Sequence, residues 1–138
     1  MAHLQHKAVT DSVAVFFVFN QMLSGYDITT GQQKRNAIFE VNQQIVLAGL
    51  YNGGFFNEAA FYGGTCLRIF HGLQRFSENL DFSLLAPNDN FEFTQYFQPI
   101  VDIFAMVGRE VEIKKKDKKN FGKVESAFLK DNTDVYLC

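Results

Sequence analysis

Two short stretches hold residues whose types and spacing suit phosphate and metal chemistry. The first is Phe61-Tyr62-Gly63-Gly64-Thr65-Cys66-Leu67-Arg68, and the second is Arg75-Phe76-Ser77-Glu78-Asn79-Leu80-Asp81-Phe82. A glycine pair lets a phosphate approach the backbone, and the first N–H groups of a helix opening there point at the anion. Thr65 adds a hydroxyl at that helix start. Asp81 follows on the next strand, facing the same end of the sheet. Mg²⁺ uses few protein carboxylates and completes its shell with water and substrate phosphate oxygens. A phosphate cradle beside an aspartate is therefore a metal–nucleotide site in outline. Taken singly, the glycine pair reads as turn geometry and Asp81 as a surface strand residue. Their joint placement on a strand–turn–helix–strand unit carries the functional reading.

The surrounding pattern supplies the elements that must position them. Residues 32–51 predict a helix, with Ile38, Val41, Ile45 and Ala48 on its buried face, polar Gln33, Lys34, Asn42 and Gln43 largely elsewhere, and Thr30 as a cap. Asn52-Gly53-Gly54 stops it. Residues 59–62 predict a buried strand running into the glycines, and 65–72 a helix with Leu67, Phe70 and His71 turned inward or His71 serving as a helix-end cation. Residues 80–85 predict a strand with Asp81 and Ser83 on one face, Phe82 and Leu84 on the other. A turn at 87–90 precedes a second long helix over 91–107, in which Pro99 is awkward. Strands are expected over 110–116, 123–129 and 132–138, with a hairpin tip at 116–122. Strands and helices interleave, so the fold expected for residues 31–138 is α/β (α+β), one mixed β-sheet flanked by helices. Residues 1–30 read as a separate N-terminal segment of helical character, in which Val13, Phe16, Phe17 and Met22 mark one face.

The 138 residues amount to about one domain. Hydrophobic residues make up 47% and charged residues 20%, which excludes a disordered chain. With 16 Phe and no Trp, the core should be phenylalanine-rich. The longest apolar run has seven residues, Val13 to Phe19, against the ~20 that a spanning helix needs, so no membrane role is expected. A net charge of -2 argues against a generally basic nucleic-acid binder. Charge is uneven: residues 1–108 hold 5 basic and 9 acidic side chains, and 109–138 hold 8 and 6. Lys114, Lys115, Lys116, Lys118 and Lys119 read as a solvated hairpin tip, with a phosphate-attracting patch as the alternative. Cys66 and Cys138 match no metal spacing and read as free thiols in a reducing, cytoplasmic compartment.

The run GGTCLRIFHGLQRFSENLDFSL resembles the signature of the AbiEii/AbiGii abortive-infection toxin family, Gly-Gly-Thr-x-Leu-Arg followed about ten residues later by Arg-Phe-Ser-Glu-Asp-Leu-Asp-Phe. The resemblance extends from about Thr30 to the C-terminus. It implies a nucleotidyltransferase domain of the polymerase-β type, with Mg²⁺ (or Mn²⁺) and an NTP, a hydroxyl acceptor such as tRNA, and a cognate antitoxin. It further implies that Gly63, Gly64 and Thr65 hold the nucleotide phosphates, with Arg68 on a phosphate or in the scaffold. Asp81 is then the second carboxylate of the metal pair. Asn79 stands where the first is expected, a neutral and weaker ligand. Arg75, Ser77 and Glu78 match the signature and read mainly as scaffold. Family members run further and bring a third acid that Asp134 is not expected to replace, so the chain reads as truncated at its C-terminus.

Three functions stay open at this level. The first is an active nucleotidyltransferase toxin. The second is a degenerate module that binds nucleotide or protein without transfer, favoured by Asn79. The third is an interaction protein, a homo-oligomer that buries phenylalanine-rich surface.

Overall fold

The computed structural model describes residues 18–115 in full, together with the backbone of 127–130 and 135–137. The hairpin tip at 116–122, Asp134, Cys138 and the apolar positions Val13, Phe16 and Phe17 lie outside the described residues. Residues 18–24 are helical, and Phe19, Met22, Leu23 and the following Tyr26 pack against the core. Their spacing of 3, 1 and 3 is that of one helical stripe.

Helix α1, Gly31–Asn52, starts in a capping box. The Thr30 hydroxyl accepts from the Gln33 N–H at 3.2 Å, and the Gln33 side chain accepts from the Thr30 N–H at 2.9 Å. Two helix-start donors are thereby satisfied. At the other end the Gly53 N–H donates to Gly49 O at 3.0 Å, and Gly54 turns the chain with φ +79°. Strand β1, Ala59–Tyr62, leads into helix α2, Gly63–His71, and then strand β2, Asn79–Leu84.

Helix α3 spans Phe97–Met106, preceded by a 3₁₀ turn over Phe93–Tyr96. The sequence pattern predicts a single helix from 91. Pro99 explains the difference: as the third residue of α3 its missing N–H has no intrahelical acceptor to lose, whereas deep inside a longer helix it would break the ladder. Strands β3 (Glu112–Lys115), β4 (Ala127–Lys130) and β5 (Val135–Leu137) complete the described elements.

The described strands form one mixed five-stranded sheet in the order β1-β2-β5-β4-β3. Only β2 and β5 run parallel, with Asn79 opposite Tyr136; the other neighbours are antiparallel. The α/β (α+β) architecture expected from the sequence is the one observed.

Phe55 is the centre of the core, 1% exposed. The rings of Phe82, Tyr96, Phe56, Phe93 and Phe91 surround it at 4.9 to 6.3 Å, mostly edge to face. Truncating such a ring costs about 3–5 kcal/mol. Helices α1 and α3 cross closely at Gly49, where a Cβ would sit 2.7 Å from the Ile100 Cα.

Helix α1 departs from its expected pattern. Ala48 is exposed, while Asn42 and Gln43 are buried. The reason is that two polar groups meet partners inside: Asn42 Oδ1 accepts from Arg109 at 2.7 Å, and the Gln43 amide reaches the backbone before β2. Arg109 also lies 4.6 Å from the Phe19 ring centre, and burial lowers its pKa. Helix α2 departs as well. Leu67, Phe70 and His71, expected inward as one alternative, are exposed, Phe70 at 67%. This nine-residue helix turns only Thr65 fully inward. His71 stands in its last turn, beside the negative end of the helix.

Candidate active site at the glycine turn

The sheet register creates the site. Across β1 and β2, Phe61 faces Phe82 and Tyr62 faces Asp81. Directly opposed residues share a sheet face, and neighbours along a strand alternate. Phe61, Leu80, Phe82 and Leu84 thus line the core face. Ala60, Tyr62, Asn79, Asp81 and Ser83 line the outer face, where all but the half-buried Asp81 are exposed. Asn79 and Asp81 are the paired oxygen donors of that face.

Immediately after β1 the chain turns at Gly63 with φ +83°, a conformation that L side chains resist. A Cβ at Gly63 would meet Asp81 Oδ2 at 2.6 Å, so the backbone passes directly over the carboxylate. At Gly64 a Cβ would lie 3.3 Å from Ser77 Oγ. The first turn of α2 contains no acidic residue, and its N-terminus presents the positive end of the helix dipole next to Asp81. Gly63, Gly64 and Asp81 are thus brought together as the sequence reading requires, with Asn79 two residues away on the same strand face.

Thr65 and Arg68 donate to protein atoms around the turn. Thr65 is 1% exposed, and its hydroxyl donates to the Asn79 carbonyl, tying α2 to β2. Arg68 donates through Nε to Glu40 Oε2 at 2.6 Å and through one terminal nitrogen to the carbonyls of Gln74 and Leu73, at 2.8 and 3.2 Å. Arg75 and Glu78 are exposed, and Ser77 is half-buried.

From the sequence, Gln43 and Gln44 match the family's helix but carry no assigned role, and Glu40 and Tyr26 are not singled out. Gln43, 1% exposed on α1, donates from Nε2 to Ser77 O and Glu78 O, both at 3.1 Å. It pins the segment that delivers Asn79. Its Oε1 has no partner among the described residues. Glu40, one turn earlier on α1 and 7% exposed, holds Arg68. Tyr26 lies against Glu40 and accepts from Gln44 Nε2 at 3.0 Å; burial, then the Glu40 carboxylate, push its pKa up to about 12. The available signal was the spacing of Glu40, Gln43 and Gln44, which places polar side chains on one helix face beside the apolar stripe.

Asp81 and Asn79 are two oxygen-bearing side chains on one sheet face beside the Gly63 turn. The chemistry of such a donor set fits a hard dication such as Mg²⁺ or Mn²⁺. Among the described residues there is no cluster of three or more His, Cys, Asp or Glu to hold a metal through protein alone.

The α+β fold is consistent with a nucleotidyltransferase-like domain. The family model for the nucleotidyl transferase AbiEii toxin, a Type IV toxin–antitoxin system, matches residues 45–137, and the chain belongs to this family. Membership implies an antitoxin as the functional counterpart. No curated protein and no solved structure matches the chain. Among the described residues, no helix is long and apolar enough to cross a membrane.

Proposed function

We propose that the chain acts as a cytoplasmic toxin that transfers a nucleotidyl group from an NTP to a hydroxyl acceptor such as tRNA. The observation that supports this reading is the close passage of the Gly63 backbone over the Asp81 carboxylate, where a Cβ would meet Oδ2 at 2.6 Å, so that the start of α2 and the carboxylate lie together. The N–H groups opening α2 receive triphosphate oxygens where the helix dipole favours them. Asp81 and the Asn79 amide oxygen would hold the Mg²⁺, which when bound neutralises phosphate charge and favours the attacking alkoxide. Thr65 and Gln43 fix the backbone around Asn79 from two sides, and Arg68 braces α2 against Glu40. In the reaction the acceptor oxygen bonds to the α-phosphorus. The bond from that phosphorus to the bridging oxygen of pyrophosphate breaks, and the hydroxyl proton passes to water.

Asn79 favours a second reading, a module that binds nucleotide without transferring it. A neutral ligand holds a dication less strongly than a carboxylate, and metal catalysis depends on that placement. One experiment separates the two. The protein is incubated with tRNA and an NTP labelled at either the α- or the γ-phosphate. Transfer predicts that the α-label alone enters RNA, and that Asp81→Ala abolishes it. Transfer gained only by Asn79→Asp supports the second reading. Absence of transfer in both refutes nucleotidyl transfer to tRNA.

A further inference from the structure

Tyr62 is exposed at 54% and stands beside Asp81 at the edge of the candidate site. It is the N-cap residue of α2, yet its side chain makes no capping hydrogen bond. Its register partner is Asp81, so the two side chains stand side by side on the outer face of the sheet. Its exposure is not shared with the apolar groove nearby. That groove is lined by Leu47, Ala48, Tyr51, Phe56, Phe61 and Phe70 and belongs to the other side of β1, where Phe61 meets Phe70 edge to face at 6.2 Å. The neighbours of Tyr62 on its own face are Asp81, Asn79, Ala60 and Ser83. An aromatic ring in water among small and polar groups, one residue before the glycine turn that opens α2, is suited to a flat ligand that also carries phosphate. A nucleobase has that shape, and stacking on an aromatic ring tolerates any base because every base has a π-face.

We propose that Tyr62 is the nucleobase-stacking residue of this site; the assignment rests on the nucleotidyl-transfer reading and extends it to how the base is held. The base comes from the NTP or from the RNA acceptor, and the chemistry of recognition is the same for both.

The 138-residue chain has no tryptophan, so Tyr62→Trp installs a single indole reporter in it. The probes are the four magnesium NTPs, magnesium tripolyphosphate, which lacks a base, and a short single-stranded RNA. The expected result is quenching of the indole by NTP or by RNA and none by tripolyphosphate. In parallel calorimetric titrations, Tyr62→Ala should weaken the base-bearing ligand about 5- to 150-fold, the range of one base–aromatic stack. It should leave tripolyphosphate affinity unchanged, and Tyr62→Phe should match the parent. Quenching by NTP assigns the ring to the donor nucleotide, and quenching by RNA alone assigns it to the acceptor. Unchanged NTP and RNA affinities in Tyr62→Ala, or no quenching by either, overturn the proposal even where tripolyphosphate binds. If neither tripolyphosphate nor NTP binds while RNA binding still depends on Tyr62, the nucleotidyl-transfer reading fails and the stacking assignment stands.

Discussion

Replacing Gly63 by alanine tests whether the glycine turn exists for the site, and Gly72 supplies a matched control. Both glycines have positive φ, +83° and +71°. An alanine at either pays about 1–2 kcal/mol for the left-handed conformation. Either change also restricts the unfolded chain, which offsets about 0.4–1 kcal/mol in both variants alike. The two differ in their surroundings. A Cβ at Gly72 has no atom within 4 Å, whereas at Gly63 it meets Asp81 Oδ2 at 2.6 Å and Asp81 Cβ and Cγ at 3.4 Å. Only the carboxylate oxygen must move, so the extra cost of Gly63→Ala falls near the low end of overpacking penalties, about 1 kcal/mol. The functional cost is larger, because the carboxylate turns out of its place beside α2. Urea unfolding should show Gly63→Ala less stable than Gly72→Ala by about 1 kcal/mol at equal m-value. Calorimetry with magnesium NTP should show binding lost in Gly63→Ala and kept in Gly72→Ala. Equal stability and equal binding in the two variants would refute the close approach and the cradle with it.

Three further changes probe the supports of the site. Arg68→Ala leaves the buried Glu40 carboxylate without its cation, with only the Tyr26 hydroxyl beside it, and should destabilise by about 3 kcal/mol in urea unfolding; adding Glu40→Gln should recover part of that loss. Gln43→Met keeps the length of the side chain but removes its bonds to Ser77 O and Glu78 O, so it should cost about 1–3 kcal/mol and loosen residues 77–79, read as lowered NMR order parameters. Tyr26 and Tyr96 have pKa values raised to about 12, in both cases chiefly by burial and then by the neighbouring Glu40 or Glu58. Because the folded values lie above the unfolded value near 10, their stabilisation is complete below pH 10 and is lost as pH rises toward 12. Unfolding curves between pH 9 and about 11.5 should show that loss, and Tyr26→Phe with Tyr96→Phe should flatten it.

The local geometry of the candidate site was legible in the sequence because it depends on neighbouring residues. The strand, the glycine pair, the helix start and the alternation around Asp81 all lie within a few residues of one another, where backbone rules act directly. The Thr30 cap was legible for the same reason. What lay beneath the site was not. Gln43 and Asn42 look like solvent-side residues of α1, and only the approach of the 77–78 carbonyls and of Arg109, 34 to 67 positions away, turns them into buried ones. The inward reading of Leu67 and Phe70 failed: both are exposed, and Phe70 meets Phe61 only edge to face at the border of an apolar groove. The order β1-β2-β5-β4-β3 also depends on non-local pairing, which short alternating runs do not specify.

The most direct measurement of the central claim is calorimetric titration of magnesium NTP into the unmodified protein and into Asp81→Ala, with a metal-free titration of each. The account predicts metal-dependent binding to the unmodified protein that Asp81→Ala abolishes while its thermal unfolding midpoint is retained. Equal binding to both proteins, or binding indifferent to Mg²⁺, would contradict it.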